Sequence, residues 1–364
     1  MQVFNCGQCG HVVFFDSVQC MHCGSGLAFL PDQVTMAALA PAPESGAGLW
    51  RRLGPVQTGA LYRLCYNHTT WDACNFAVPA ASPHLLCIAC RQTHRLPDLS
   101  DPGNLRHWIR IEEAKRQLFY TLARLGLQPT DDSAPPHAGP TYAFLADLPG
   151  EPGIVTGHHG GTITLNVAEA DDDERARRRI ALHEPYRTLI GHLRHESGHF
   201  YWDRLVRDAD KLDAFRAVFG DERLDYATAL SEHYAQGART DWSHHHVSAY
   251  AAAHPWEDWA ETWAHYLHMV DLLETAAAYA TGLNLPGAGA APREHVANPF
   301  GQPAPGFDTM VRQWVPLTLL LNSLNRSLGQ QDAYPFALSA GALRKLRFVH
   351  DTIAQGSSVP AVRP

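Results

Sequence analysis

Apolar residues recur at three- and four-residue steps from Asn104 to about Leu127, where Trp108, Ile109, Leu118, Leu122 and Leu125 form the stripe of an amphipathic helix. The same period predicts a long helix from about Pro185 to Val206, and further helices over roughly 209–219, 222–237, 257–280, 308–328 and 340–354. Strand patterning is sparse. HVVFFDSVQ is apolar and β-branched enough for a short hairpin, and GGTITLNVAEAD (160–171) alternates like a half-buried strand before acidic turn residues. Residues 31–58 are rich in Ala, Pro and Gly and read as a linker, while the proline-rich DDSAPPHAGP (131–140) ends the first helical segment. No repeat of solenoid period is present. These patterns predict an α+β protein. A mostly helical domain over 101–364, with 160–171 as its edge strand, follows a small β unit (1–30), the linker (31–58) and a further segment (59–100).

Cysteine changes the picture of the first hundred residues. All eight cysteines lie there, in two groups of four. Cys6 and Cys9 stand in CGQCG, Cys20 and Cys23 in CMHCG, and each pair is followed by the glycine that a zinc knuckle needs to turn back on its sulfurs. This is a zinc ribbon, with the HVVFFDSVQ hairpin between its knuckles. Cys65, Cys74, Cys87 and Cys90 form the second group, in which only the last two are a C-x-x-C pair, and they predict a second four-cysteine zinc site. His68, His84 and His94 lie near them and read as ordinary loop residues. Zinc rather than disulfide bonding places the chain in a reducing compartment.

Charge narrows the partners. The net charge is -8, and residues 1–100 hold five Arg, no Lys and five Asp or Glu, so neither the chain nor its ribbon has the basic surplus of a nucleic-acid binder. The ribbon therefore suits contacts with a protein partner or substrate. The start MQVFNCGQCG lacks a basic stretch leading into an apolar one, and no run of about 18 apolar residues occurs. The expectation is a cytoplasmic protein without a membrane partner.

RHESGHFYWD carries the chemistry. His195 and His199, four apart on a helix, share one face and can bind one ion. Glu196 between them points beside the open coordination position, where it can take a proton from a metal-bound water. The flanks TLIGHL and FYW are apolar, so the helix crosses a core, where buried imidazoles and a carboxylate need a partner such as a metal. The strand GGTITLN could line a cleft and pair with an extended peptide. Some sixty residues on, YAAAHPWEDWAETWAHYLH presents Glu257 and Glu261 one turn apart, with Asp258 a further candidate for the third ligand. Asp203, one turn after His199, could accept a hydrogen bond from a ligand. Zinc fits these ligand types, and manganese or iron can occupy the same kind of set. Most of the 22 histidines cannot be ligands, and the His244–His246 run reads as a solvated loop.

The two cysteine groups, LPDLS, IEEAKRQLFYTLARLGL, ITLNVAEADD, EPYRTLIGHLRHESGHFYWDRLV, FGDERLDYA and HPWEDWAETWAHYLHMVD resemble the bacterial zinc-binding metallopeptidases that carry an N-terminal zinc ribbon, on the gluzincin side of the zincin clan. EDWAE is similar to the E-x-x-A-E helix of toxin-type and regulatory gluzincins. That resemblance implies Glu257 as zinc ligand, Glu261 as the residue orienting His195 or His199, and Tyr250, seven residues before the ligand, as a transition-state tyrosine. The His195–Glu196–His199 motif and the two cysteine groups, with this resemblance behind them, lead us to expect hydrolysis of a peptide or related amide in a peptide or protein substrate, with one catalytic and two structural zinc ions. The rival reading is a zinc-ribbon adaptor whose helical domain is a catalytically inactive scaffold. A latent peptidase whose ribbons cover its cleft is a third.

Overall fold

The computed structural model describes residues 1–55, 59–133, 138–181, 188–283 and 294–356. The chain forms two compact units, Met1–Arg178 and Arg179–Pro364.

The first unit opens with the knuckle hairpin, β1 (Phe4–Asn5) against β2 (Val12–Val13). A five-stranded antiparallel sheet follows in the order β3 (Gly26–Leu30), β4 (Thr35–Pro41), β5 (Leu49–Arg52), β6 (Leu61–Leu64) and β7 (Ala77–Pro79), with the short helix α1 (Tyr66–Trp71) between the last two. The stretch expected as a linker thus carries β4 and β5. Ala37, Ala38 and Ala42 are core residues. Met36 and Ala38 join one apolar cluster with Phe29 and Phe76, while Ala37 and Leu39 join another with Leu30 and Tyr62. A strand buried on both faces has no apolar–polar alternation to show in the sequence.

β8 (Thr93–Arg95) and helix α2 (Pro102–Arg124) come next. Asp101 caps α2 by accepting from Gly103 N–H at 2.6 Å, and Pro102 takes the first helical position, where no donor is lost. Phe119 and Tyr120 of α2 pack into the aromatic cluster of Phe4, Phe15, Phe29 and Phe76. The boundary expected after residue 100 therefore coincides with the start of a helix and not with the edge of a compact body. β9 (Thr141–Leu145), β10 (Gly157–His159) and β11 (Thr162–Asn166) complete a four-stranded sheet ordered β10-β11-β9-β8. β11, expected at an edge, is paired on both sides. Gly160 and Gly161, both at positive φ, fold β10 back onto it, and β10 takes the edge. α3 (Asp172–Ala181) closes this region.

The second unit is helical: α4 (Leu189–Trp202), α5 (Leu212–Phe219), α6 (Tyr226–Gln236), α7 (Pro255–Ala278), α8 (Phe307–Ser327) and α9 (Ala340–Gly356), with a two-residue pairing of β12 (Gly282–Leu283) and β13 (Glu294–His295). The expected start of the long helix, 185–187, lies outside the described residues. α4 begins at a Thr188 cap whose hydroxyl accepts from Gly191 N–H at 3.0 Å, and passes after Trp202 into one π-turn, Asp203–Arg207. α7 is the central rod, with Trp259 and Trp263 buried. It crosses α4 at Gly198, where a Cβ would sit 2.9 Å from Ala260 Cα. Two tryptophans fix the crossing: Trp259 Nε1 donates to Gly198 O at 2.8 Å and Trp263 Nε1 to Ser197 Oγ at 3.1 Å. Among the described residues, no helix is long and apolar enough to cross a membrane.

Candidate functional site

The α4–α7 crossing sets the histidines against a carboxylate. His195 and His199 stand one turn apart on α4, with ring centroids 4.9 Å apart. α7 begins opposite them. His254 caps it through Nδ1, which accepts from Trp256 N–H at 3.1 Å while its Nε2–H donates to Leu224 O at 3.1 Å. Pro255 follows at the first helical position, which puts Glu257 in the first turn, where the helix dipole favours a carboxylate. Glu257 Oε2 lies 3.0 Å from His195 Nε2 and Oε1 lies 3.5 Å from His199 Nε2. Glu261, one turn on, meets the other side of His195, Oε1 to Nδ1 at 2.7 Å. Ser248 Oγ donates to Glu261 Oε2 at 2.6 Å and accepts from Ala251 N–H at 3.1 Å.

Each charged group answers to burial and to its neighbours. Burial disfavours a charged His195, but Glu257 and Glu261 outweigh it and hold its pKa well above the usual imidazole range. Burial would likewise raise Glu257, yet His199 and His195 take it well below the ordinary carboxylate value. Glu196 shifts the other way. It is buried, and burial raises its pKa against the pull of His195 and His199.

The donor set fits a divalent metal. A Glu261 carboxylate can only accept, so His195 keeps a proton on Nδ1, and once Nε2 gives up its proton, as metal ligation requires, Nε2 presents a lone pair. That lone pair faces Glu257 Oε2, a buried oxygen without a hydrogen-bond partner. Two acceptors 3.0 Å apart repel unless a cation or proton lies between them. Ligands about 2.0–2.1 Å from a tetrahedral zinc are about 3.3 Å from each other, and the two separations, 3.0 and 3.5 Å, bracket that edge. His195, His199 and Glu257 offer donor atoms that all lie within 4.8 Å of one another. Beside them Glu196 Oε2 is buried and has no hydrogen-bond partner.

The other expected residues take distinct places. The Tyr250 ring is 6.0 Å from that of His195. Asp258 is outside the His195–His199–Glu257 group: it pairs with Lys345 Nζ at 2.5 Å and lies 3.6 Å from His246 Nε2, and burial pushes its carboxyl up to about 7. Asp203 pairs with Arg207 at 2.6 Å, one turn further along the chain. Four residues carry no motif signal of their own. The Tyr226 hydroxyl donates to Glu257 Oε1 at 2.7 Å, the Trp256 ring lies on His199 at 3.8 Å, and Ser248 and His254 make the bonds given above. Tyr226 stands in FGDERLDYA and the pair His254–Trp256 in HPWED, so the stretches that carry the family resemblance contain them without showing what they touch.

The cysteines converge as two fours, none of them in a disulfide. Cys6 Sγ to Cys23 Sγ is 3.7 Å, Cys9 Sγ to Cys20 Sγ 3.6 Å and Cys74 Sγ to Cys87 Sγ 3.8 Å. Four sulfurs about 2.3 Å from a tetrahedral ion stand about 3.8 Å apart, whereas a disulfide needs about 2.05 Å. In the second group, backbone N–H groups of Phe76, Cys87 and Cys90 donate to the sulfurs of Cys74, Cys65 and Cys87 at 3.3–3.4 Å, as thiolates require. His68 Nδ1 is engaged by Cys74 O at 2.7 Å.

Residues 104–352 match a family model described as "Putative zinc-binding metallo-peptidase", and residues 3–101 match a zinc-ribbon domain model that spans both cysteine groups. Uncharacterized proteins of Mycobacterium bovis and of two strains of Mycobacterium tuberculosis are each 38% identical to the chain over 357 residues, covering 97% of it and 95% of the relative. No solved structure matches it.

Proposed function

The chain belongs to the zinc-binding metallopeptidase family, and from that premise we propose that it hydrolyses peptide or related amide bonds in a peptide or protein substrate, with His195, His199 and Glu257 holding zinc and Glu196 as general base. The observation that carries the reading is the Glu257 carboxylate set across both Nε2 atoms, with the orphaned Glu196 Oε2 buried beside it. Bound there, zinc would polarise the scissile carbonyl and bring the pKa of a bound water near 7.

The side chains divide the remaining work. Glu196, its pKa raised by burial, is a better proton acceptor than an exposed carboxylate. Glu261, itself held by Ser248, fixes the tautomer and angle of His195. Burial, with Glu257 nearby, raises the Tyr250 pKa far above its ordinary value, so its hydroxyl stays protonated and can donate to an oxyanion. The two four-cysteine groups would hold structural zinc, and free thiols in that number suit a reducing cytoplasm. The adaptor reading, a scaffold without turnover, is less favoured because a buried carboxylate with an unpaired oxygen costs stability that ligation alone does not require.

Metal content and turnover test this together. The wild-type chain should retain about three zinc ions after desalting, and Glu257→Ala about two. Glu196→Gln should keep its zinc and lose hydrolysis in a broad peptide screen. Two zinc ions in every variant with no turnover in the wild type would replace the peptidase reading by the adaptor.

A further inference from the structure

The two knuckles of the ribbon are built alike. Cys6 N–H donates to His11 O at 2.8 Å and Gly10 N–H to Cys6 O at 2.8 Å; Cys20 N–H donates to Ser25 O at 2.9 Å and Gly24 N–H to Cys20 O at 2.8 Å. Gly10 and Gly24 have nearly the same φ, +76° and +74°. This equivalence places His11 where the second knuckle has Ser25, and His22 where the first has Gln8. Ser25 shows what that place touches, since Cys23 Sγ lies 3.3 Å from its hydroxyl. His11 brings an imidazole to the matching sulfur, Cys9.

The two imidazoles meet. The rings of His11 and His22 are stacked with centroids 3.5 Å apart and 10° between their planes. No other aromatic pair among the described residues is closer, and most adopt the tilted or edge-on geometries that such rings prefer. Both rings are exposed, and among the described residues neither has a side-chain hydrogen bond. A ring nitrogen of each lies within 4.8 Å of the other and of Cys9 Sγ.

We propose that Cys9, His11 and His22 form a second metal site on the ribbon, open to solvent and fused to the four-cysteine site through the Cys9 sulfur. A thiolate that binds one ion keeps lone pairs for another, and the mixed sulfur and imidazole set selects a borderline divalent ion such as zinc or cobalt. Water completes the outer ion's shell. With three donors and an exposed face, this ion exchanges more readily than the enclosed one. The site rests on the ribbon's own zinc being in place, so the test measures that zinc separately.

The full chain is loaded with zinc, desalted and dialysed against micromolar zinc, with binding counted beyond the tightly held ions. The wild type takes up one extra ion, and His11→Ser and His22→Gln, which install the residues of the opposite knuckle, each lose it while retaining the tightly held zinc. Cobalt added to the zinc-loaded wild type gives a sulfur-to-cobalt charge-transfer band at one equivalent without releasing zinc. Extra binding that survives both substitutions but disappears when His244, His245 and His246 are all replaced by alanine is an adventitious ion only, and overturns the proposal. A cobalt band that appears only as zinc is released overturns it as well. Loss of tightly held zinc from the wild type before any titration would instead count against the ribbon's zinc site.

Discussion

The Tyr226 hydroxyl holds Glu257 through a 2.7 Å hydrogen bond to Oε1, the oxygen that faces His199 Nε2 at 3.5 Å. Tyr226 is the first residue of α6, which Asp225 caps by accepting from Thr228 N–H at 2.8 Å. Burial and the neighbouring Glu257 raise the Tyr226 pKa far above its ordinary value, so the hydroxyl remains a donor. Groups that orient metal ligands typically contribute about 10–100-fold to metal affinity. Tyr226→Phe should therefore weaken zinc retention at the α4–α7 site about 10-fold while leaving the cysteine-bound zinc alone. Competition with a chelator reads both; an unchanged affinity at the histidine site would remove Tyr226 from it.

Gly198 is a packing residue rather than a chemical one. A Cβ there would press on Ala260 Cα at 2.9 Å and on the Trp263 side chain at 3.2 Å. Helix backbones cannot yield as a flexible side chain can, so Gly198→Ala should destabilise the second unit by about 1–3 kcal/mol. It should also shift α7, and Glu257 with it, away from the histidines. Denaturant unfolding and zinc content should change together, whereas a stable variant with full zinc would show that the crossing tolerates the methyl group.

His265 predicts a pH dependence. It is buried against the Tyr334 hydroxyl at 2.8 Å, and burial lowers its pKa to about 4 from about 6.5 in the unfolded chain. The unfolded state thus binds the proton first. Stability is complete above about 6.5 and falls as the pH drops toward about 4, by on the order of 1 kcal/mol per pH unit. His265→Gln removes this dependence, so its stability difference from the wild type should shrink with acidification between pH 6.5 and 5. Parallel pH profiles in urea unfolding would show that His265 is not the group responsible.

Zinc removal should reach beyond the ribbon. Phe119 and Tyr120 of α2 pack into the cluster that contains Cys6, Cys20, Cys74 and Cys87. Metal binding in such small sites supplies folding free energy. A chelator that strips the cysteine sites should therefore lower amide protection along α2, even though α2 falls in the segment matched by the metallopeptidase family model. Unchanged α2 protection in the stripped chain would mean that the aromatic core stands without its metal.

Several misreadings share one origin. Residues 31–58 look like a linker because short runs of alanine and proline also occur in unstructured chain, and burial on both faces of β4 erases alternation. β11 has the pattern of a half-buried strand whether it lies at an edge or inside a sheet; the Gly160–Gly161 turn that adds β10 beyond it decided the matter.

What the sequence by itself determined is what short-range backbone geometry enforces. Four-residue spacing puts His195 and His199 on one helix face, C-x-x-C-G turns two sulfurs inward, and threefold and fourfold apolar steps mark the helices. Spacing left open which carboxylate faces those histidines, where the family resemblance implied Glu257, and the tertiary structure set the geometry. Glu257 and Glu261 are one turn apart on α7, so sequence spacing treats them alike. The choice follows from the height at which α7 crosses α4, set by the missing side chain at Gly198 and by the hydrogen bonds of Trp259 and Trp263. That crossing puts Glu257 on the two Nε2 atoms and Glu261 on His195 Nδ1, because a helix packed at one fixed height can present only one turn to each side of an imidazole.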